Sequence, residues 1–305
     1  MDRQFDLVII GSGPAGMAAA IYAGRAGLSC AMIEAEAPGG KLVKTYEIAN
    51  YPGIAEINGA ELAMQMYEHS TAYHCESLFD TVLKVEDGEL KKITCASGDI
   101  YYAKAVIVAT GTKERLLNIP NEKELTGRGV SYCAVCDGAF YRNKTVTVIG
   151  GGNSALEEAL YLTQFVAKLY IVIRRDVFRA DSVVVDKVEA NEKIEIIRKA
   201  IPVRINEKDG KVGSIVLKNV DTNEEFEVET SGIFPYIGAD PCTEMLEGLD
   251  VLDAHGYILT DENMSTKVPG IYGAGDCCKK VLRQVVTAVN DGAIAAQSVF
   301  HYINK

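Results

Sequence analysis

The chain has 305 residues, 48% of them hydrophobic, and a formal net charge of −11. That length allows about two domains of roughly 150 residues, and the apolar fraction suffices for two cores, which excludes a disordered chain. The negative balance argues against nucleic acid as a partner, because the phosphate backbone would be repelled.

The N-terminal residues 1–6 place acids beside a six-residue apolar run, with no signal-peptide core, and no stretch approaches the ~20 apolar residues of a membrane helix. A soluble cytoplasmic protein without a membrane partner is the expectation. Residues 5–10 form a β-rich run leading at once into Gly11-Ser12-Gly13-Pro14-Ala15-Gly16. A small-residue, helix-like stretch follows to Gly27, then a second apolar strand, 29–33, ending at Glu34. Residues 105–111 read as a buried strand with the exit Thr110-Gly111. Residues 145–149 form another strand, running into Gly150-Gly151-Gly152-Asn153-Ser154-Ala155 and a helix-like stretch with Leu156, Ala159, Leu160 and Leu162. The strand 168–173 then ends at Arg174-Arg175. Residues 206–229 suggest a hairpin sheet around Asp209-Gly210. Residues 268–276 end a strand in Gly273-Ala274-Gly275-Asp276, and 287–304 read as a closing helix.

The chain therefore writes one unit twice: strand, glycine turn, helix, strand. Each copy has the spacing of a dinucleotide-binding βαβ unit. Gly11 and Gly150 permit the tight turn, Gly13 and Gly152 let backbone approach a pyrophosphate, and Gly16 and Ala155 let helix pack on strand. The pyrophosphate would sit on the free N–H groups of the helix N-terminus. The end residues differ. Glu34 suits a ribose 2′-OH, as in FAD or NAD, whereas Arg174 and Arg175, joined by Arg179 a turn later, suit the 2′-phosphate of NADP. Asp276 offers an acceptor to a ribitol or ribose hydroxyl.

This pattern implies an α/β fold with two Rossmann-like dinucleotide-binding domains, the second inserted within the first. The first would span residues 1–115 and 243–305, the second 116–242. The stretches 114–124 and 237–243 are expected as the connecting strands.

Eight cysteines are present, and without a secretion signal a disulfide framework is not expected. Only Cys133 and Cys136 have Cys-x-x-Cys spacing. A four-cysteine zinc site would need a second such pair, so no metal is expected. Two thiols so spaced cycle readily between dithiol and disulfide, and Asp137 beside them is placed to move the proton that thiolate chemistry requires. Two dinucleotide units and this pair together describe an electron path from nicotinamide to flavin to disulfide.

Several motifs in their order resemble the small, bacterial-type thioredoxin reductases over nearly the whole chain. They are the first glycine turn, Gly39-Gly40-Lys41-Leu42, Tyr51-Pro52-Gly53, Ala109-Thr110-Gly111, Cys133-Ala134-Val135-Cys136-Asp137-Gly138, the second glycine turn, Arg174-Arg175 with Phe178-Arg179-Ala180, and Gly273-Ala274-Gly275-Asp276 with Arg283-Gln284-Val285. The resemblance implies FAD in the first domain, NADPH in the second, a homodimer, and thioredoxin or a thioredoxin-like protein as partner. FAD would be held by Gly11 to Gly16, Glu34, Gly39, Gly40, Lys41, Leu42, Asn50, Thr110, Gly111, Asp276, Arg283, Gln284 and Val285. NADPH would be held by Gly150, Gly152, Asn153, Ser154, Ala155, Arg174, Arg175 and Arg179. The resemblance also implies that Cys136 faces the flavin, that Cys133 attacks the partner disulfide, and that Asp137 is the acid–base.

The chain departs from that pattern at Lys41, where glutamine is frequent, and at Ile173, where histidine is usual. It also departs at Pro235, which must shorten its strand or confine it to an edge. Two alternatives stand beside the reductase: a dithiol oxidase or related enzyme of the same fold with a different electron donor, and a non-catalytic FAD-binding redox sensor.

Overall fold

The computed structural model describes residues 3–45 and 47–304, so Met1 and Asp2 of the polar start lie outside the described residues. In chain order the elements are β1 (Arg3–Ile10), α1 (Pro14–Arg25), β2 (Cys30–Glu34), β3 (Glu47–Ile48), β4 (Ile57–Asn58), α2 (Gly59–Thr71), β5 (Glu76–Phe79), β6 (Val82–Glu86), β7 (Lys91–Cys95), β8 (Ile100–Val108) and β9 (Thr112–Glu114). They continue with α3 (Ala134–Asp137), β10 (Thr145–Ile149), α4 (Asn153–Leu162), β11 (Lys168–Val172), α5 (Ser182–Glu189), β12 (Ile194–Ile197), β13 (Ala200–Lys208), β14 (Lys211–Asn219) and β15 (Glu225–Glu229). The last are β16 (Gly232–Pro235), β17 (Ala239–Pro241), β18 (Ile271–Gly273) and α6 (Val285–Ile303). Two units form, one from residues up to 113 together with those from 240 onward, the other from Glu114 to Ala239. The crossings run through β9 and β17, which pair with each other.

In the first unit the sheet order is β5-β2-β1-β8-β7-β6, and β18 also pairs with β8. β1 is parallel to both neighbours, in the register Leu7↔Cys30 and Leu7↔Ala105. Leu7, Val8, Ile9 and Ile10 are all buried, as an inner parallel strand covered on both faces requires. β8 is long enough to serve two partners on one edge, β7 over its first half and β18 over its second.

The second unit repeats the plan in a parallel sheet, β12-β11-β10-β16, and adds an antiparallel sheet, β13-β14-β15. Asp209 (φ 52°) and Gly210 (φ 77°) form the two-residue turn of the β13–β14 hairpin, whose left-handed conformations match strand twist. The hairpin begins at Ala200, six residues before the sequence places it. Pro235 is the last residue of the four-residue edge strand β16. The neighbouring Tyr236 N–H donates to Ile149 O (2.7 Å), so Pro235 takes the alternate position, where no ladder donor toward β10 is needed.

The first connection differs from expectation: its strand is only 112–114, and 115–124 is not a strand. Pro120 lies there between the left-handed residues Asn118 (φ 57°) and Asn121 (φ 69°). The buried Glu122 carboxylate organises these turns, accepting from the N–H groups of Leu117 (2.7 Å) and Asn118 (2.6 Å) and from the Tyr132 hydroxyl (2.7 Å).

Candidate active site

In the first unit, Gly11 turns the chain from β1 into α1 at φ +101°, and a Cβ there would stand 2.5 Å from Ala109 O. Gly13 caps α1, Pro14 opens it, and the first backbone bond is Met17 N–H to Gly13 O. The amides of Ala15 and Gly16 thus precede the ladder. A Cβ on Gly13 would meet nothing within 4 Å, so the space over this helix end is open to a phosphate. Glu34 reaches the turn: its Oε2 accepts the Ser12 N–H and hydroxyl (2.7 Å each), and its Oε1 accepts the Glu36 N–H (2.9 Å). Three of about four acceptor sites are then used, which leaves room for one ribose hydroxyl.

Residues distant in sequence converge here. Gly39 N–H donates to Ser12 O, and the open side of Gly40 faces Gly13 Cα. Lys41 Nζ donates to Thr112 Oγ1 (2.6 Å), and the Thr110 hydroxyl donates to Cys242 O. Asn50 Nδ2 donates to Gln284 Oε1 (3.1 Å), and Gln284 caps α6 ahead of Val285 in a reciprocal pair with Thr287. Arg283 donates to the carbonyls of Asp276 and Cys278 and stacks over the Tyr257 ring. Burial pushes the Asp276 carboxyl up, against the pull of Lys41, Lys280 and Arg283. Leu42 is buried beneath the loop with Ile48 and Leu62.

In the second unit Gly150 makes the equivalent turn at φ +143°, where a Cβ would stand 2.3 Å from Tyr236 O. Gly152 caps α4, and the nearest atom to a Cβ there is Arg179 O at 3.8 Å. Arg179 N–H donates to Gly151 O (2.7 Å), bringing the 174–179 segment alongside the turn. Asn153 is tied to Asp181 by two hydrogen bonds, Ser154 is exposed, and Ala155 is buried against the sheet. Arg174, Arg175 and Arg179 are exposed, and none forms an ion pair or side-chain hydrogen bond among the described residues. Ile173 is buried and packs against Gly151.

Cys133 and Cys136 form a disulfide with Cα atoms 5.3 Å apart, at the start of α3 in this same unit. Cys133 is half-buried and Cys136 exposed. Cys133 Sγ accepts the Cys136 N–H (3.1 Å), and Tyr236 Oη accepts the Ala134 N–H (3.2 Å). Asp137 is half-buried, and its charge adds to burial in pushing the Tyr141 phenol up to about 12.

Two features here escaped the sequence. Phe140, four residues beyond Cys136, is 74% exposed. Glu158 Oε2 is enclosed without a hydrogen-bond partner among the described residues, and burial, with Glu157 beside it, pushes the carboxyl up to about 8. Its place three residues after Ala155 and four before Leu162 puts it at the edge of the buried face of α4, a signal the sequence did contain.

Two glycine turns of the dinucleotide-binding kind and a disulfide in the unit of the second define a dinucleotide-linked disulfide oxidoreductase. The chain belongs to the pyridine nucleotide-disulphide oxidoreductase family, matched over residues 5–292. Within it the similarity is to thioredoxin reductases over the full length. The chain is 46% identical to the thioredoxin reductase of Bacillus subtilis over 304 residues, 100% of this chain and 96% of that one. The thioredoxin reductase structure from Lactococcus lactis matches with a TM-score of 0.97 at 46% identity, covering 98% of this chain and 99% of that one. That of T. acidophilum matches with 0.95 at 34% identity, covering 99% and 100%.

Proposed function

We propose that this chain is a thioredoxin-disulfide reductase that passes electrons from NADPH through FAD and the Cys133–Cys136 couple to thioredoxin or a thioredoxin-like protein. The observation that carries it is the disulfide at the start of α3, in one unit with a glycine turn flanked by three exposed arginines that have no ion pair among the described residues. FAD and NADPH, when bound, supply hydride transfer and its delivery to a disulfide as an electron pair.

The chain's own residues do the rest. The α1 N-terminus, with Ser12 and Gly13, receives the FAD pyrophosphate, Glu34 a ribose hydroxyl, and Asp276, Gln284 and the Gly39–Lys41 turn its remaining polar groups. The α4 N-terminus takes the NADPH pyrophosphate, and Arg174, Arg175 and Arg179 take the 2′-phosphate. The Cys136 N–H that points at Cys133 Sγ stabilises negative charge on that sulfur, which supports Cys133 as the nucleophile toward the partner disulfide and Cys136 as the thiol exchanging with the flavin. Asp137 holds the proton one thiol gains and loses in each cycle. The exposed Phe140 ring offers an apolar contact to a docking protein beside Cys136.

The arginine trio speaks against an oxidase with no nicotinamide site. No described helix is long and apolar enough to cross a membrane. On its likeness to thioredoxin reductases we place the enzyme in the cytoplasm as a homodimer. The test is steady turnover of the purified yellow protein with NADPH and thioredoxin. Reduction of thioredoxin disulfide at NADPH expense supports the reading, and a colourless protein that takes up no FAD overturns it.

A further inference from the structure

Outside the Cys133–Cys136 centre, two buried thiols lie against each other. Cys30 begins β2, and Cys75 immediately precedes β5. The strands pair in parallel with Ala31 opposite Glu76, and the same register one step back sets Cys30 opposite Cys75. Adjacent strands lie about 4.8 Å apart, inside the Cα window of about 4.4–6.8 Å that a disulfide spans. Both side chains enter the same apolar cluster, so they point to the same face of the sheet. Cys30 beside it, together with burial, pushes the Cys75 thiol up.

We propose that Cys30 and Cys75 are a second oxidisable dithiol, one that closes into a cross-strand disulfide under a hydroperoxide and staples the segment between them. One thiol attacks the peroxide oxygen and becomes a sulfenic acid, releasing water. The other attacks that sulfur, and a second water leaves as the S–S bond forms. Two thiol hydrogens and one H₂O₂ give one disulfide and two waters.

The pair is buried, at 2% and 5% exposure, so oxidation requires a local opening. The structure provides the means, because β5 is a four-residue strand at the edge of the sheet. Such an edge opens at less cost than the core strands behind it. Oxidation would then be slow, and closure lasting once the strand re-pairs.

The staple matters because of what it encloses. Residues 30–75 carry Glu34, Gly39, Gly40 and Lys41, which the proposed function assigns to FAD. Closing the disulfide restricts this segment's freedom in any opened state. FAD release, which needs the segment to loosen, becomes slower in the oxidised chain. The retention effect rests on the proposed function; the cross-link does not.

The experiment uses the full FAD-loaded chain, treated with hydrogen peroxide and digested without reduction. The expected result is a peptide pair joining Cys30 to Cys75, lighter by two hydrogens than the separate peptides and split by dithiothreitol. FAD release, followed by flavin fluorescence on dilution, is expected to slow severalfold in the cross-linked protein and to be unchanged by peroxide in Cys30→Ala. Recovery of Cys30 and Cys75 as free thiols or sulfinic acids, under peroxide treatment that reoxidises a previously reduced Cys133–Cys136 pair completely, would overturn the proposal. A cross-link that leaves FAD release unaltered would overturn the staple. A chain that binds no FAD would fail the proposed function, and peptide mapping of the apo chain would still decide the cross-link. If Cys30→Ala does not fold, Cys75→Ser serves as the control.

Discussion

Replacing Arg174 and Arg175 together by alanine separates recognition of the 2′-phosphate from every other part of the site. Both side chains are exposed and unpaired among the described residues, so their loss strands no buried partner, and stability should change by no more than about 0.5 kcal/mol. A charge-assisted hydrogen bond is worth about 1.5–3 kcal/mol, and solvent exposure puts each of these near the lower limit. The two together come to about 3 kcal/mol, or roughly a hundredfold in kcat/KM for NADPH. NADH carries no 2′-phosphate, so its kcat/KM should move less than about twofold. Arg179 remains, tied by its backbone to Gly151, and keeps part of the preference for NADPH. The assay is anaerobic steady-state kinetics at saturating thioredoxin, with NADPH and NADH varied in turn. Equal losses with both donors would show that these arginines do not read the phosphate.

Other substitutions divide the labour of the site. Cys133→Ser should leave a Cys136 thiolate giving a long-wavelength charge-transfer absorbance with FAD. Cys136→Ser should lack that band and trap a thioredoxin lacking its second cysteine as a mixed disulfide; exchanged behaviour would reverse the two roles. Phe140→Ser should raise KM for thioredoxin severalfold with little change in direct reduction of a small disulfide reagent, and equal effects on both would remove its docking role. Glu158→Gln tests the enclosed carboxyl through pH. The folded chain holds a proton, up to about pH 8, that the unfolded chain releases near its ordinary 4.5. The stability this confers is fully present below about 4.5 and is lost as pH rises toward 8. One pH unit in that window is worth at most about 1.4 kcal/mol, so between pH 5 and 7 the wild type should lose up to about 3 kcal/mol relative to the variant in urea unfolding. Parallel pH–stability curves would mean the carboxyl is not perturbed.

Most of the framework was readable because its signals are local. The apolar runs of β1, β2, β10 and β11, each followed by a glycine turn or an end residue, need no tertiary information. The same holds for Asp209-Gly210. The stretch 115–124 misled because its apolar residues look strand-like, whereas its conformation is set by Glu122, whose partner Tyr132 lies ten residues on. Pro235 read correctly as a mark of a short edge strand. The pairing of Ser12 with Glu34 and of Asn50 with Gln284 was not readable, because residues 22 and 234 positions apart meet only through the sheet order. Glu158 lay hidden for a related reason. Its helix position hints at burial, but only the fold shows that its Oε2 finds no hydrogen-bond partner among the described residues.

The central claim is that electrons leave NADPH and reach thioredoxin through Cys133 and Cys136. Anaerobic stopped-flow mixing of the oxidised protein with a few equivalents of NADPH, followed by thiol counting after denaturation, tests it most directly. The account predicts flavin bleaching, two new thiols in the peptide containing Cys133 and Cys136, and their return to disulfide when oxidised thioredoxin is added. A flavin that bleaches while that disulfide stays closed, or a dithiol that thioredoxin does not reoxidise, would contradict it.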